Sequence, residues 1–303
     1  MKVSVVMPVH NGARFLEESL ASIVGDAFDE LVIVDDGSTD ATPALLGAWA
    51  AREPRIVIVT LERNRGLAHA LNRGLETARG EYVARHDADE VYVRGRIAAQ
   101  VEMLDRERDV VLVSTWFDII DEQGRRTGTY RPSYSPEEID YLLNFYNVLG
   151  GHAQVMFRRE AALRAGRYAE EFSTVEDYDL WRRLRRLGRI VILPRIGLLR
   201  RHHSSGVSFA QRTQQRALSG QVMRLAVGDT LGRAISDEEA KAIATLWRGA
   251  YHAGLVSLAV RLSRGAGDMR RLLRRRVLYT AARALRRGHV RDAVQWLRTA
   301  GSP

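Results

Sequence analysis

Cysteine is absent from the 303-residue chain, and long apolar runs are absent as well. The lack of cysteine excludes disulfides, thiolate metal sites and cysteine nucleophiles, and it is typical of a reducing compartment. No stretch approaches the roughly 20 apolar residues that a membrane-spanning helix needs. The short N-terminal apolar run has no small-residue cleavage site, so it predicts a first strand rather than a signal peptide. We therefore expect a cytoplasmic protein, with attachment to the inner face of the membrane as the alternative.

Lysine contributes little to the positive charge, which is almost entirely arginine, and the formal net charge is +9. Such a balance attracts polyanions in general, including nucleic acid, anionic lipid headgroups and phosphorylated small molecules. The charge alone does not choose among these partners. We expect no nucleic-acid partner, because the chain carries no motif that reads bases.

Strand and helix patterns alternate through the first third of the chain. Apolar, β-branched runs at residues 2–9, 30–38, 55–62 and 81–89 predict four strands, and the segments between them have helical periodicity. Strands separated by such helices predict an α/β fold with a mostly parallel sheet that is flanked by helices and is Rossmann-like. In such sheets, ligands bind beyond the carboxyl ends of the strands.

Polar and turn-forming residues follow all four predicted strands, where a parallel sheet would bring them to one edge. They are Pro8, His10 and Asn11; Asp35 and Asp36; Asn64, Arg65 and Gly66; and Asp87 and Asp89. An acid just past a strand is a common acceptor for ribose and base edges in nucleotide sites, and Asp36 has that position. The glycine fingerprint of dinucleotide sites is absent after the first strand, so a dinucleotide cofactor is not expected.

The stretch "HDAD" places two aspartates, Asp87 and Asp89, at the end of the fourth predicted strand. Alternate residues of a strand point to the same side, so both carboxylates could face one point. Two carboxylates at one point repel unless a cation lies between them, and oxygen ligands suit Mg²⁺ or Mn²⁺ bound to a phosphorylated ligand. A simple turn is the alternative, because aspartate often ends strands.

Two later segments also carry candidate functional groups. In "STVEDYDLW", Ser173 and Glu176 have the spacing of a capping box, whereas Asp177 has no such structural explanation. A carboxylate in the first turn of a helix is held ionised by the helix dipole and can accept a proton from a substrate hydroxyl. In "LLRRHHSSGVS", a histidine could complete a metal site or bind phosphate, and a polar loop is the alternative.

The pattern changes after about residue 210, where the chain becomes helical and basic. We expect an α/β domain over residues 1–215, with a nucleotide-binding half at about 1–110 and an acceptor half at about 111–215. Residues 216–303 are expected to form an all-helical, basic extension. Basic amphipathic helices favour anionic headgroups, so peripheral membrane contact through this extension is one interpretation, and a solvated face is the other.

Four segments in series resemble the family 2 glycosyltransferases, whose fold is called GT-A. The segments are "VSVVMPVHNGARFLEESLASI", "ELVIVDDGSTD", "NRGLAHALNRGLETARGEYVARHDAD" and "EDYDLWRRL". The resemblance covers about the first two hundred residues. It implies a bacterial enzyme of cell-surface polysaccharide or glycoconjugate synthesis that inverts the anomeric centre. The donor would be a nucleotide-diphospho-sugar, with a UDP-sugar favoured, and the acceptor a glycan or a lipid-linked glycan.

The resemblance also implies residue roles. Asp177 would be the catalytic base, and Mn²⁺ or Mg²⁺ would be bound by Asp89, with Asp87 and His203 as further ligands. The nucleotide-sugar would be bound by Pro8, Val9, Asn11, Asp36, Asn64, Arg65, Asp87, Arg201 and His203. The chain departs from the family where Glu90 replaces an aspartate after the acidic motif and His86 replaces an apolar residue.

Two other functions are compatible with the same residues. A module that binds nucleotide-sugars without turnover would keep the acidic pair, although the presence of Asp177 argues against it. A nucleotidyltransferase would need a glycine-rich, basic loop after the first strand, and that position holds "HNGARF". We therefore rank the nucleotidyltransferase last.

Overall fold

The computed structural model describes residues 2–203 and 212–240 of the chain. The chain divides into two compact units. One comprises Met1–Asp140 and Asn147–Leu218, and the other comprises Tyr141–Tyr146 and Ser219–Pro303. Within the second unit, the described residues are 141–146 and 219–240.

One sheet of nine strands forms the centre of the first unit, as far as its residues are described. The strands are β1 (Val3–Val9), β2 (Glu30–Asp35), β3 (Ile56–Thr60), β4 (Tyr82–Arg85), β5 (Val91–Tyr92), β6 (Val110–Ile120), β7 (Arg126–Tyr130), β8 (Met156–Arg158) and β9 (Arg189–Arg201). Their order is β3-β2-β1-β4-β8-β6-β9-β5, with β7 paired to β6.

Helices connect most of these strands. They are α1 (Ala13–Val24), α2 (Thr42–Ala50), α3 (Leu67–Thr77), α4 (Arg96–Arg106), α5 (Pro136–Leu142), α6 (Arg159–Arg164) and α7 (Glu176–Leu184), followed by α8 (Arg212–Leu231). A 3₁₀ turn at Glu170–Phe172 precedes α7. The α/β class predicted from the sequence is confirmed.

The pairing of the strands changes at β4. Strands β3, β2, β1 and β4 are parallel neighbours, as the strand–helix alternation predicts. Beyond β4 the sheet is mixed, because β8 runs antiparallel to both β4 and β6 while β9 is parallel to β6. The parallel half brings the carboxyl ends of its four strands to one edge.

Helices cover both faces of the parallel half. On one face, Val5 and Met7 of β1 pack with Leu16 and Leu20 of α1 in the main apolar core. On the other face α3 lies so close to β1 that a Cβ atom on Gly74 would come within 2.4 Å of a Val6 methyl group. A glycine is therefore required at that contact.

Strand β4 is shorter than the sequence predicts. It ends at Arg85, because pairing with β8 stops at Ala84 and the chain then turns, with the Glu90 amide donating to the Asp87 carbonyl. Asp87 and Asp89 therefore lie in a turn. The prediction that the strand continues through Asp89 is wrong, so strand alternation does not apply to these two carboxylates.

The described part of the second unit has its own small apolar core. Met223, Val227 and Ile235 pack together with Ala240 and Phe145. Residues 241–303 of the predicted basic extension lie outside the described residues. Among the residues that are described, no helix has both the length and the apolar character to span a bilayer.

Candidate functional site

Asp36, immediately after β2, fixes the loop between β3 and α3. Its Oδ1 accepts a hydrogen bond from the Arg65 amide at 2.7 Å, and its Oδ2 accepts one from the Gly66 amide at 2.8 Å. Asn64 Oδ1 accepts from the same Gly66 amide at 3.0 Å. Gly66 has a φ of 91°, a conformation that favours glycine. Asp36 thus brings Asn64 and Arg65 to the predicted edge, and its contact with ribose or base stays a prediction.

Asn11 joins the loops that follow β1 and β2. Its side-chain oxygen accepts a hydrogen bond from the Thr39 amide at 2.8 Å, and its own amide donates to Ser38 Oγ at 2.9 Å. Asn11 has a φ of 50°, which asparagine tolerates better than most residues. Pro8 and Val9 are buried in β1 directly before this junction. The predicted nucleoside-binding residues therefore belong to one connected group of strand ends.

Arg85, the last residue of β4, carries a charge that is completely buried. Its Nη1 donates to the Val6 carbonyl at 2.5 Å and to the His86 carbonyl at 3.0 Å. Its Nη2 donates to Asp87 Oδ1 at 2.5 Å, and the Asp87 side chain is 30% exposed. Asp87 therefore has one oxygen turned inward as the counter-ion of a buried guanidinium.

Asp89 and His203 come together from distant parts of the sequence. His203 Nε2 lies 2.8 Å from Asp89 Oδ2, and the Asp89 side chain is 38% exposed. The His203 ring also packs against Phe15, with ring centroids 5.2 Å apart. The pairing brings together two of the three predicted metal ligands, while Asp87 is turned toward Arg85.

Arg201, a predicted phosphate ligand, is used by the protein itself. Its Nε donates to the Asp89 carbonyl at 3.0 Å, its Nη1 to the Asp121 carbonyl at 3.1 Å, and its Nη2 to Glu18 Oε2 at 2.6 Å. The side chain is only 2% exposed and lies over the Phe15 ring. Arg201 thus holds the acidic turn in place, and its contact with the diphosphate stays a prediction.

The donor set at this turn fits a hard divalent cation. In residues 2–203 and 212–240, no three His, Cys, Asp or Glu side chains form a cluster that would bind a metal by themselves. Asp89 and His203 nevertheless present an oxygen and an imidazole nitrogen 2.8 Å apart. Mg²⁺ and Mn²⁺ commonly take one or two protein carboxylates and complete their shell with water and phosphate oxygens.

Asp177, in the first turn of α7, is half-buried and oriented by a neighbouring loop. Asn147 Nδ2 donates to its Oδ2 at 2.7 Å, and the Tyr178 amide donates to its Oδ1 at 2.6 Å. Burial raises the pKa of Asp177, against the lowering effect of these hydrogen bonds and of the Arg200 charge. The helix dipole favours the ionised form of Asp177, whereas desolvation opposes it. Desolvation thereby brings the pKa of this carboxyl closer to that of a general base.

The predicted capping box before α7 is wrong. Val175 is the N-cap residue, and no side chain caps the helix, so Ser173 and Glu176 do not bond reciprocally. Glu176 is instead turned inward, where its side chain is 4% exposed and its Oε1 lies 3.7 Å from His152 Nδ1. Burial and the neighbouring Asp177 charge raise the pKa of Glu176.

Arg200 supplies a cation that the sequence analysis did not single out. Its Nη1 donates to the Gly150 carbonyl at 2.6 Å, and its Nε lies 3.8 Å from Oε1 of the buried Glu90. Burial raises the pKa of both Glu90 and Asp177, and the Arg200 charge opposes both shifts, so Arg200 lies near the acidic turn and near α7. The sequence shows two adjacent arginines, Arg200 and Arg201, and the resemblance implied nucleotide-sugar binding only for Arg201.

Arg85 and Asn147 were also missed, and the sequence indicates only a structural role for His152, because nothing local distinguishes these residues from ordinary polar residues. Each one contacts a site acid or its partner only in the folded chain.

A profile of the family described as "Glycosyl transferase family 2" matches residues 4–166, which is more than half of the chain. The chain belongs to glycosyl transferase family 2. The match includes the β1, β2 and β4 strand ends that carry Asn11, Asp36, Asp87 and Asp89.

Named relatives of this family 2 chain come from several bacteria. EpsE of Bacillus subtilis, described as a glycosyltransferase, is 34% identical over 187 residues, 60% of this chain and 66% of EpsE. The amylovoran biosynthesis glycosyltransferase AmsE of Erwinia amylovora is 33% identical over 193 residues, 62% of this chain and 71% of AmsE. The matched segment thus spans about two thirds of the length of these relatives.

Solved structures share the GT-A fold with this family 2 chain. TarS of S. aureus in complex with UDP-GlcNAc has a TM-score of 0.62 at 18% identity, covering 99% of this chain and 90% of the TarS chain. The mannosyltransferase PcManGT from Pyrobaculum calidifontis, solved with GDP-Man and Mn²⁺, has a TM-score of 0.58 at 22% identity, covering 99% and 86%. The GT-A class predicted from the sequence is confirmed.

Replacing Glu176 with glutamine is expected to stabilise the protein increasingly as pH rises. The native pKa of Glu176 is raised above its ordinary value of 4.5, so the native state holds a proton that the unfolded chain has lost. The stability of the wild type therefore falls as pH rises from the unfolded pKa through the native one. In thermal melts, the melting temperature of Glu176→Gln relative to that of the wild type should rise by about 2–4 °C or more between about pH 5 and about pH 8.

Glu81→Gln, which changes a 60% exposed glutamate near Arg158, is the matched control for this pH series. Its melting temperature should follow that of the wild type. A constant difference between Glu176→Gln and the wild type across the pH range would show that Glu176 is ionised in the native state with an ordinary pKa.

Proposed function

We propose that this chain transfers a sugar from a nucleotide-diphospho-sugar to an acceptor hydroxyl with inversion at the anomeric carbon. The observation that carries the proposal is a chain of contacts from the acid after β4 to the start of α7. Arg85 donates to Asp87 Oδ1 at 2.5 Å and to His152 Nε2 at 3.1 Å, and His152 Nδ1 lies 3.7 Å from Oε1 of Glu176, the residue before Asp177. These contacts support a single site in which Asp87 serves the donor and Asp177 serves as the base.

The nucleotide would lie over the strand ends that Asn11 and Asp36 organise. Family membership supports this position, since the profile match covers these strands. The ligands of the structural neighbours, UDP-GlcNAc in TarS and GDP-Man in PcManGT, support a nucleotide-sugar donor. We favour a UDP-sugar. Pro8 and Val9 would line the nucleoside side of the site, and Asn64 and Arg65 would border it.

Asp89 and His203 would bind Mn²⁺ or Mg²⁺, with Asp87 at the edge of the metal site or near the ribose. A bound divalent cation would neutralise charge that develops on the departing nucleoside diphosphate. The Mn²⁺ in the complex of PcManGT supports this assignment. Arg200 is the cation of this region that is still 25% exposed, so it could add a phosphate contact.

Asp177 would accept the proton of the acceptor hydroxyl. The acceptor oxygen then forms a bond to the anomeric carbon while the bond from that carbon to the diphosphate oxygen breaks, and the electron pair leaves with the diphosphate. Attack from the face opposite the leaving group inverts the centre in one step. This route needs no second carboxylate as a nucleophile, as in inverting glycoside hydrolysis.

The acceptor is proposed to be a growing cell-surface glycan or a lipid-linked glycan. The names of AmsE and of TuaG of Bacillus subtilis, which refer to amylovoran and teichuronic acid biosynthesis, support this class. A lipid-linked acceptor would suit a cytoplasmic enzyme at the inner face of the membrane, with the basic C-terminal region as the contact. Residues 241–303 of that region lie outside the described residues.

Asp89→Ala is expected to remove Mn²⁺-dependent nucleotide binding, because it deletes the exposed carboxylate next to His203. Titration calorimetry with UDP and with GDP, each with and without Mn²⁺, measures the effect. The affinity of the variant should fall at least about 10-fold, roughly 1.4 kcal/mol, to the level that the wild type shows without metal. Unchanged Mn²⁺-dependent affinity would remove Asp89 from the metal site.

Asp177→Asn is expected to keep nucleotide binding and lose transfer, because the amide cannot accept the proton. The release of nucleoside diphosphate from UDP-GlcNAc and from GDP-mannose, with Mn²⁺ present, should fall about 10²- to 10⁴-fold at saturating donor. Calorimetry on the same sample should give the wild-type affinity. Turnover at the wild-type rate would place the base elsewhere.

A further inference from the structure

We propose that His152 is a positioning residue whose two ring nitrogens serve different halves of the reaction: Nε2 supports the donor side through Arg85 and Asp87, and Nδ1 supports the base side through Glu176 and Asp177. This inference rests on the proposed function. It assigns a task to a buried histidine that is neither a proposed ligand nor the proposed base.

The donor side of the imidazole is defined by Arg85. Arg85 Nε donates to His152 Nε2 at 3.1 Å, and the same guanidinium donates from Nη2 to Asp87 Oδ1 at 2.5 Å. A guanidinium has donors only, so Nε2 must be the acceptor and carries no proton. The Nε2 lone pair, which Arg85 shares with the Tyr168 hydroxyl, therefore helps to set the orientation of Arg85 and with it the position of Asp87.

The base side follows from that assignment. Burial and the Arg85 charge lower the pKa of His152, so the ring is neutral and its single proton is on Nδ1. Nδ1 lies 3.7 Å from Glu176 Oε1, and Glu176 Oε2 has no hydrogen-bond partner among the described residues. The Nδ1–H group is thus a polar neighbour of a buried carboxyl that would otherwise face apolar surroundings. The next residue in the chain is Asp177.

The surrounding side chains hold the ring in this orientation. Tyr168 Oη lies 2.8 Å from His152 Nε2, and the Trp181 ring meets the imidazole edge-on with centroids 5.6 Å apart. The His152 side chain is 9% exposed, and Trp181 is completely buried. A ring flip would place the Cε1–H group, which has no lone pair, where Nε2 accepts from Arg85, so packing and hydrogen bonding both select one orientation.

The two nitrogens can be tested separately, because two amides each replace one of them. Glutamine at position 152 can place an oxygen where Nε2 accepts from Arg85, but it lacks the Nδ1–H group. Asparagine can place an N–H group where Nδ1 faces Glu176, but it does not reach Arg85. If His152 only filled space, both variants would be less stable than the wild type. They would not differ in whether the donor side or the base side of the reaction is affected.

His152→Gln is expected to lower the turnover number for UDP-GlcNAc or GDP-mannose cleavage about 10- to 100-fold, with donor affinity within about twofold of the wild type. His152→Asn is expected to weaken Mn²⁺-dependent UDP or GDP binding about 10-fold or more, with turnover at saturating donor much less affected. Initial rates over a donor series give kcat and KM, and calorimetry gives the affinity.

Tyr168→Phe keeps the ring and removes only the hydroxyl group near Nε2, so it serves if a His152 variant does not fold. It should resemble His152→Asn, with KM raised more than kcat is lowered. His69→Gln is the control for the substitution, because His69 is paired with Glu170 away from these contacts, and it should match the wild type.

The outcomes separate this inference from the proposed function. A wild type that binds and cleaves neither nucleotide-sugar contradicts the proposed function itself. If the wild type is active and both His152 variants change kcat and KM alike, His152 has a purely structural role and the inference is wrong. Opposite effects in the two variants support it.

Discussion

The site is organised around a guanidinium that water does not reach. Arg85 ends β4 with a side chain that is completely buried. Leaving such a charge without a partner would cost several kcal/mol, so the chain must bring a carboxylate to it. Asp87 does so two residues later, after the strand has ended at Arg85. The turn then presents Asp89 to the neighbouring strand β9, where His203 follows. A local electrostatic requirement thereby determines where the acidic motif lies.

The remaining acids are held by backbone groups or by buried side chains rather than by one another. Asp36 accepts two loop amides, and Asp177 accepts from Asn147 and from its own helix. Glu176 is desolvated beside Asp177, and both carboxyls have raised pKa values for that reason. Fixed donors cost no reorganisation when a substrate binds, so this arrangement suits a site that must act on a transient charge.

Local patterns were enough to predict the parallel half of the sheet. The strands, the helices between them and the polar strand ends are all encoded by short-range periodicity and turn residues. The mixed half was not predicted, because whether β8 runs antiparallel to β4 depends on contacts between distant segments. The same limit applies to the site. Asp87, Asp89 and Asp177 could be found as motif residues, whereas Arg85, His152 and Asn147 gain their roles only through long-range packing. Arg201 shows the converse, since its sequence context resembled a ligand site but its side chain is buried in protein contacts.

The most direct test of this account is a double-mutant cycle between Arg85 and Asp87. Free energies of unfolding from chemical denaturation would be compared for the wild type, Arg85→Met, Asp87→Asn and the double variant. We expect Asp87→Asn to be clearly destabilising in the wild-type background and much less destabilising in the Arg85→Met background. The coupling free energy between the two substitutions should be about 1–3 kcal/mol. Additive effects, within about 0.5 kcal/mol, would contradict the claim that the buried guanidinium determines the position of the acidic turn.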